Sequence, residues 1–190
     1  MMNNKLFKLT AFLLLVSGVS AFMIAYVNEI TIDKIQAQNA QKLQEGYTEV
    51  YPEATDYVDE TYAGEDTTIT AVVSAQKNGE ELGVIYTVAP GGYGGTVKTL
   101  VGFDIETQKV TGIKILSQAE TPGLGGNCTQ PWFAARFAGK SGAQPLQVVK
   151  TETSSDSEVQ AITAATITST AVVTGVNAAQ ADFIANYANR

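Results

Sequence analysis

The feature that most constrains this chain is an uncharged run close to its start. Residues 9–28 carry no charged side chain, and Leu9 to Val27 is nearly all apolar. Nineteen residues at helical rise extend roughly 28 Å, close to the hydrocarbon thickness of a bilayer. Lys5 and Lys8 precede the run, while Glu29 and Asp33 follow it. The positive-inside bias then places residues 1–8 in the cytoplasm and everything after residue 28 outside. A single-pass protein of the inner (plasma) membrane is expected. The rival is a cleaved signal peptide, with Val19-Ser20-Ala21 as a small-residue site. Because the apolar run continues through Phe22-Met23-Ile24-Ala25-Tyr26-Val27, beyond a signal's usual apolar region of roughly 7–15 residues, a retained anchor is favoured.

Past the anchor the chain is acidic: 19 Asp and Glu against 10 Lys and Arg, a net charge of −9. Such a surface argues against nucleic acid and against adhesion to anionic lipid. Histidine is absent and Cys128 stands alone. These two facts remove Ser-His-Asp and Cys-His catalysis, any internal disulfide and a thiolate-ligated cluster, so neither a catalytic set nor a metal site is expected. A chain this poor in catalytic side chains must borrow a cofactor to do redox chemistry.

The pattern after the anchor points to α+β. Ile30, Ile32, Ile35, Ala37, Ala40 and Leu43 recur at roughly helical spacing, with Gly46 as a stop. The helical segment is a stalk or the first helix of the domain, and residues 51–66, acidic from Glu53 to Asp66, read as a solvated connection, so 29–66 is taken as helical stalk and acidic connection. A compact domain is expected over 67–190. Strand-like runs at 68–73 and 83–88 flank Asn78-Gly79, a hairpin signal, and 97–104 and 109–116 flank a second antiparallel turn. Pro90-Gly91-Gly92-Tyr93-Gly94-Gly95 between them reads as a linker between hairpins, with close approach to a ligand as the alternative. Pro131–Phe137 is a short helix candidate, 146–149 and 159–162 are short strands, and a last helix runs from about Ser169 to Tyr187. Periodicity buries Val172, Val173, Val176, Ala179, Phe183 and Ile184 on that helix, where Gly175 allows close packing.

The run Thr163-Ala164-Ala165-Thr166-Ile167-Thr168-Ser169 opens this last helix. A helix's first N–H groups lack internal partners and carry partial positive charge, so a phosphate fits there without basic side chains. An ordinary Ser/Thr cap is the plainer reading. Upstream lie Glu120-Thr121-Pro122-Gly123-Leu124-Gly125 and Trp132-Phe133-Ala134-Ala135-Arg136-Phe137-Ala138-Gly139-Lys140.

Thr163-Ala164-Ala165-Thr166 resembles the (Ser/Thr)-(Gly/Ala)-Ala-Thr signature of covalently flavinylated proteins, and the upstream block resembles the other hallmark of the same FMN-binding domain. The whole chain is similar to G subunits of Rnf-type ferredoxin:NAD oxidoreductase complexes, with the C subunit of the sodium-translocating NADH:quinone reductase as the related alternative. The resemblance implies FMN joined to Thr166 by a phosphoester placed by a flavin transferase, with Thr163, Ala164, Ala165, Thr168 and Ser169 around the phosphate. It also implies that Glu120, Thr121, Pro122, Gly123, Leu124 and Gly125 wrap the flavin. The implied role is an electron-transfer subunit beside membrane and iron–sulfur subunits of an Na+- or H+-translocating complex; a flavin scaffold or sensor without turnover is the other class. The family usually has Asp three residues before the first Ser/Thr of the signature, where this chain has Gln160. Glu120 could instead pair with Arg136, Lys140 could meet the phosphate or solvent, and Trp132, Phe133 and Cys128 read as core.

Overall fold

The computed structural model describes residues 2–188, in two units divided between Lys42 and Leu43. The first unit is helical throughout and belongs to α1 (Met2–Val50). Its side chains are exposed from residue 4 to residue 42, including Leu13, Leu14, Phe22 and Ile24. The uncharged part of this helix, residues 9–28, has its side chains exposed throughout, which suits lipid better than water.

The second unit starts with the end of α1, so the compact part begins at Leu43 instead of Thr67. Gly46, read as a helix stop, lies within α1. A Cβ there would come within 2.7 Å of Leu100 Cδ1, so its smallness lets the helix lie against the sheet. The sheet has five antiparallel strands in chain order: β1 (Asp56–Glu60), β2 (Ile69–Lys77), β3 (Glu80–Val88), β4 (Lys98–Asp104) and β5 (Lys109–Ser117). The β2–β3 hairpin turns at Asn78 and Gly79, both at positive φ (56° and 83°), as a primed two-residue turn requires. β1 falls inside the segment read as a solvated connection. It pairs with β2 along its length, with Asp56 and Asp59 exposed and the half-buried Glu60 accepting from Tyr187 Oη–H, which suits an edge strand.

Both faces of the sheet are covered. Val73, Ala75, Ile85 and Leu100 pack under Tyr47, Val50 and Tyr51 at the end of α1. Val72, Val84, Tyr86, Val101 and Phe103 pack under α3 (Thr166–Asn186), through Val172, Val173, Val176, Ala179 and Phe183. Ile184 departs from the helical expectation and is partly exposed. Between β5 and α3 lie a 3₁₀ turn (Gly125–Thr129), the short α2 (Pro131–Ala134) and the parallel pair β6 (Gln147–Val149) and β7 (Glu158–Gln160). Phe133 is core as expected, whereas Trp132 is 45% exposed with Arg136 stacked 4.7 Å from its ring centre.

Candidate functional site

Helix α3 begins at Thr166, three residues earlier than its apolar period suggested. The chain enters it through a sharp bend. Ala164 sits at φ 59°, a left-handed conformation that costs any residue with a Cβ and that β-branched side chains tolerate least. The bend turns Ala165 into the N-cap position, and alanine has no side-chain oxygen to cap the helix. The first-turn N–H groups of this 21-residue helix are thus not closed off by a side chain of their own N-cap. Ser169, expected at the phosphate, points inward instead. Its hydroxyl donates to Ala165 O (3.0 Å) and accepts from Ile162 N–H (2.9 Å), which locks the entry bend.

The three threonines of the run have separate positions. Thr168 is 2% exposed and its Oγ1 donates to Glu120 Oε2 at 2.6 Å. Thr163 is exposed but lies outside the cleft described next. Thr166 is exposed, starts the helix and lines that cleft. Of these three threonines, Thr166 alone is both exposed and beside a ligand-sized space.

That space is a cleft of about 550 Å³, within the usual range for small-molecule sites. One wall is Ala164 to Thr168; the other is Glu120, Thr121, Leu124 and Gly125. The structure thus brings the two sequence blocks face to face, although they lie far apart along the chain. Pro122 and Gly123 shape the turn (Gly123 at φ 79°) without lining the cleft. Two side chains that the sequence did not single out complete the lining: Ile167, masked between two threonines, and Tyr93, from the glycine-rich loop. A second, smaller cleft of about 380 Å³ lies on the other side of Thr166 and Ile167, against Thr68, Pro90, Gly91, Thr170 and Thr174.

Glu120 holds these parts together. It is 6% exposed, accepts from Thr168 Oγ1 and from Gly94 N–H (2.9 Å), and bonds the Tyr93 N–H as well. Burial alone would raise its pKa; the three donors outweigh burial and hold the carboxyl below the usual glutamate value. A Cβ on Gly125 would lie 2.5 Å from Glu120 Oε2, and one on Gly92 would strike Oε1, so glycine is what lets both loops close on the carboxylate. Glu120 does not meet Arg136, whose guanidinium donates to Gln160 O (2.6 Å) and Ala161 O (3.2 Å). Lys140 donates to Ser155 O, away from the helix start. Cys128 is fully buried; burial, then the nearby Glu120 charge, pushes its thiol up to about 11.

Residues 92–181, which contain both walls of the cleft, match the family described as the FMN-binding domain. The G subunit of the Na(+)-translocating ferredoxin:NAD(+) oxidoreductase complex of Acetobacterium woodii is 37% identical over 186 residues, covering 90% of this chain and 88% of that one. The chain belongs to this G-subunit family. The G subunit of the proton-translocating complex of Clostridium ljungdahlii is 33% identical, covering 93% of this chain and 91% of the relative. The C subunit of the Na(+)-translocating NADH-quinone reductase from Parabacteroides distasonis shares the fold, with a TM-score of 0.61 at 19% identity over 80% of this chain and 94% of that one. The chain is thus an α+β, FMN-binding member of an oxidoreductase subunit family and a membrane protein with one apolar N-terminal helix. The cleft suits FMN: a helix start without a side-chain cap on its N-cap residue can receive a phosphate, and the apolar side chains beside it can take a flat ring.

Proposed function

We propose that this protein is a membrane-anchored electron relay carrying one FMN in phosphoester linkage to Thr166 Oγ. The observation that supports it most is the position of Thr166, whose exposed hydroxyl starts an uncapped helix and lines the cleft between the two motif blocks. A flavin transferase would form the bond between Thr166 Oγ1 and the phosphorus of an FMN unit carried on an activated phosphoric donor; the phosphorus–oxygen bond to the donor's leaving group breaks, and that group departs with the threonine's hydroxyl proton. The phosphate would then meet the α3 N–H groups, and the 120–125 loop would border the ring. Ala164, Ala165, Thr121 and Gly125 offer backbone and small side chains at that distance; Thr163, Pro122 and Gly123 would act by shaping the approach, and Thr168 by fixing Glu120.

Bound FMN supplies a centre that accepts electrons from one protein and returns them to another. The protein's share is to tether that centre, leave its edge reachable and hold it beside iron–sulfur and membrane subunits. The pumped ion differs between the two relatives, Na+ in one and protons in the other, so the cation is assigned to the wider complex. Lys5 and Lys8 ahead of the apolar helix support an extracytoplasmic flavin domain through the positive-inside bias. Mixing the flavinylated protein with NADH alone, then with the purified partner complex, tests the relay. Slow bleaching by NADH and rapid bleaching through the complex are expected; rapid bleaching by NADH alone would make this chain a dehydrogenase in its own right.

A further inference from the structure

Large apolar side chains are exposed at six positions among the described residues of the compact unit: Val58, Tyr93, Leu124, Trp132, Ile167 and Ile184. Three of them, Tyr93, Leu124 and Ile167, surround the larger cleft beside Thr166. Tyr93 is the most exposed, at 73%. An aromatic ring left in water forgoes a large apolar area, and apolar side chains gathered around one opening mark a surface that something covers.

The loop under Tyr93 is not a slack tether. Gly92 N–H donates to Gly95 O (2.8 Å), Val97 N–H to Pro90 O (2.9 Å), and Gly91 bridges Thr96. Gly94 N–H reaches Glu120 Oε1, and a Cβ on Gly94 would strike Ala119 O. The loop is a tight hairpin clamped to the same carboxylate that fixes the first turn of α3. The main chain that carries Tyr93 is thus held in register with Thr166, and its ring stands at the cleft before any ligand arrives. Flat aromatic pairs in offset contact gain energy beyond their buried area.

We infer that Tyr93 is the flavin-contacting aromatic of this site: its ring stacks on the isoalloxazine of an FMN tethered at Thr166, while Leu124 and Ile167 border the apolar edge of that ring. This rests on the attachment proposed above. The tyrosine ring is electron-rich and quenches an excited flavin that it touches, whereas phenylalanine keeps the contact and quenches far less.

The test uses the full chain made with the transferase, as wild type, Tyr93→Phe and Tyr93→Ala. Intact mass reports the flavin, and flavin emission and visible circular dichroism report its surroundings, each in folded and unfolded protein. Folded wild type is expected to be quenched against its unfolded form. Tyr93→Ala loses both the quenching and the induced dichroism with the flavin still attached, and Tyr93→Phe keeps the dichroism while its emission rises. Emission and dichroism of Tyr93→Ala identical to wild type, with the flavin mass present, overturn the Tyr93 assignment and leave attachment standing. Absence of a flavin mass from wild type overturns the attachment reading itself, and the Tyr93 assignment with it.

Discussion

Replacing Thr168 by valine removes one hydroxyl and keeps the shape, so it isolates the bond that joins α3 to the 120–125 loop. The bond is 2.6 Å long, runs to a carboxylate and lies under a side chain only 2% exposed. Hydrogen bonds to charged groups contribute about 1.5–3 kcal/mol. Valine is β-branched like threonine, so helix propensity changes little and no cavity forms. Glu120 keeps its loop N–H donors, so its desolvation is only partly uncovered. The expected loss is about 2 kcal/mol at pH 7, or roughly 4–8 °C in Tm for a unit of this size. The pH dependence follows from Glu120, whose folded pKa is depressed. A depressed carboxyl stabilises the fold above its unfolded value, about 4.3, and that stabilisation is lost as pH falls through the folded value. The gap between wild type and Thr168→Val should therefore be full above about pH 5 and shrink in acid toward the ~1 kcal/mol of a neutral hydrogen bond. Urea unfolding of the flavin-free full chain in detergent, followed by the single tryptophan, Trp132, measures it. A variant within about 0.5 kcal/mol of wild type at pH 7, or a gap that widens in acid, would refute this account of Glu120.

Cys128 should resist iodoacetamide at pH 8 in the folded protein and react fully once unfolded, because a buried thiol raised to about 11 holds almost no thiolate; rapid native alkylation counts against its burial. Protease added to right-side-out spheroplasts should digest the domain beyond residue 28, whereas a protected domain or a mature N-terminus near Phe22 would contradict the retained, outward-facing anchor.

What the sequence made legible divides along physical lines. The β2–β3 hairpin was readable because Asn78-Gly79 supplies two positive φ angles that few other pairs tolerate. The α3 core face was readable from its period, apart from Ile184 near the helix end. β1 was missed because an edge strand needs only backbone pairing, and its acidic side chains look like a linker's. Gly46 was misread because a glycine that ends a helix and one that lets a helix touch a sheet look identical in sequence. In the site, local runs located Thr166 and the 120–125 loop, but the Glu120–Thr168 bond joins residues 48 apart and has no local signature. Tyr93 carried a signal that went unused: an aromatic side chain between glycines on a short loop, with nothing nearby to bury it.

The central claim is that Thr166 carries the flavin, and intact mass spectrometry of the full chain made with its transferase tests it most directly. Wild type should gain the mass of one FMN joined with loss of water, localised to the peptide containing Thr166, and Thr166→Ala should lack it. A flavin that persists on the Thr166→Ala protein, or that maps to Thr163 or Thr168, would contradict the account.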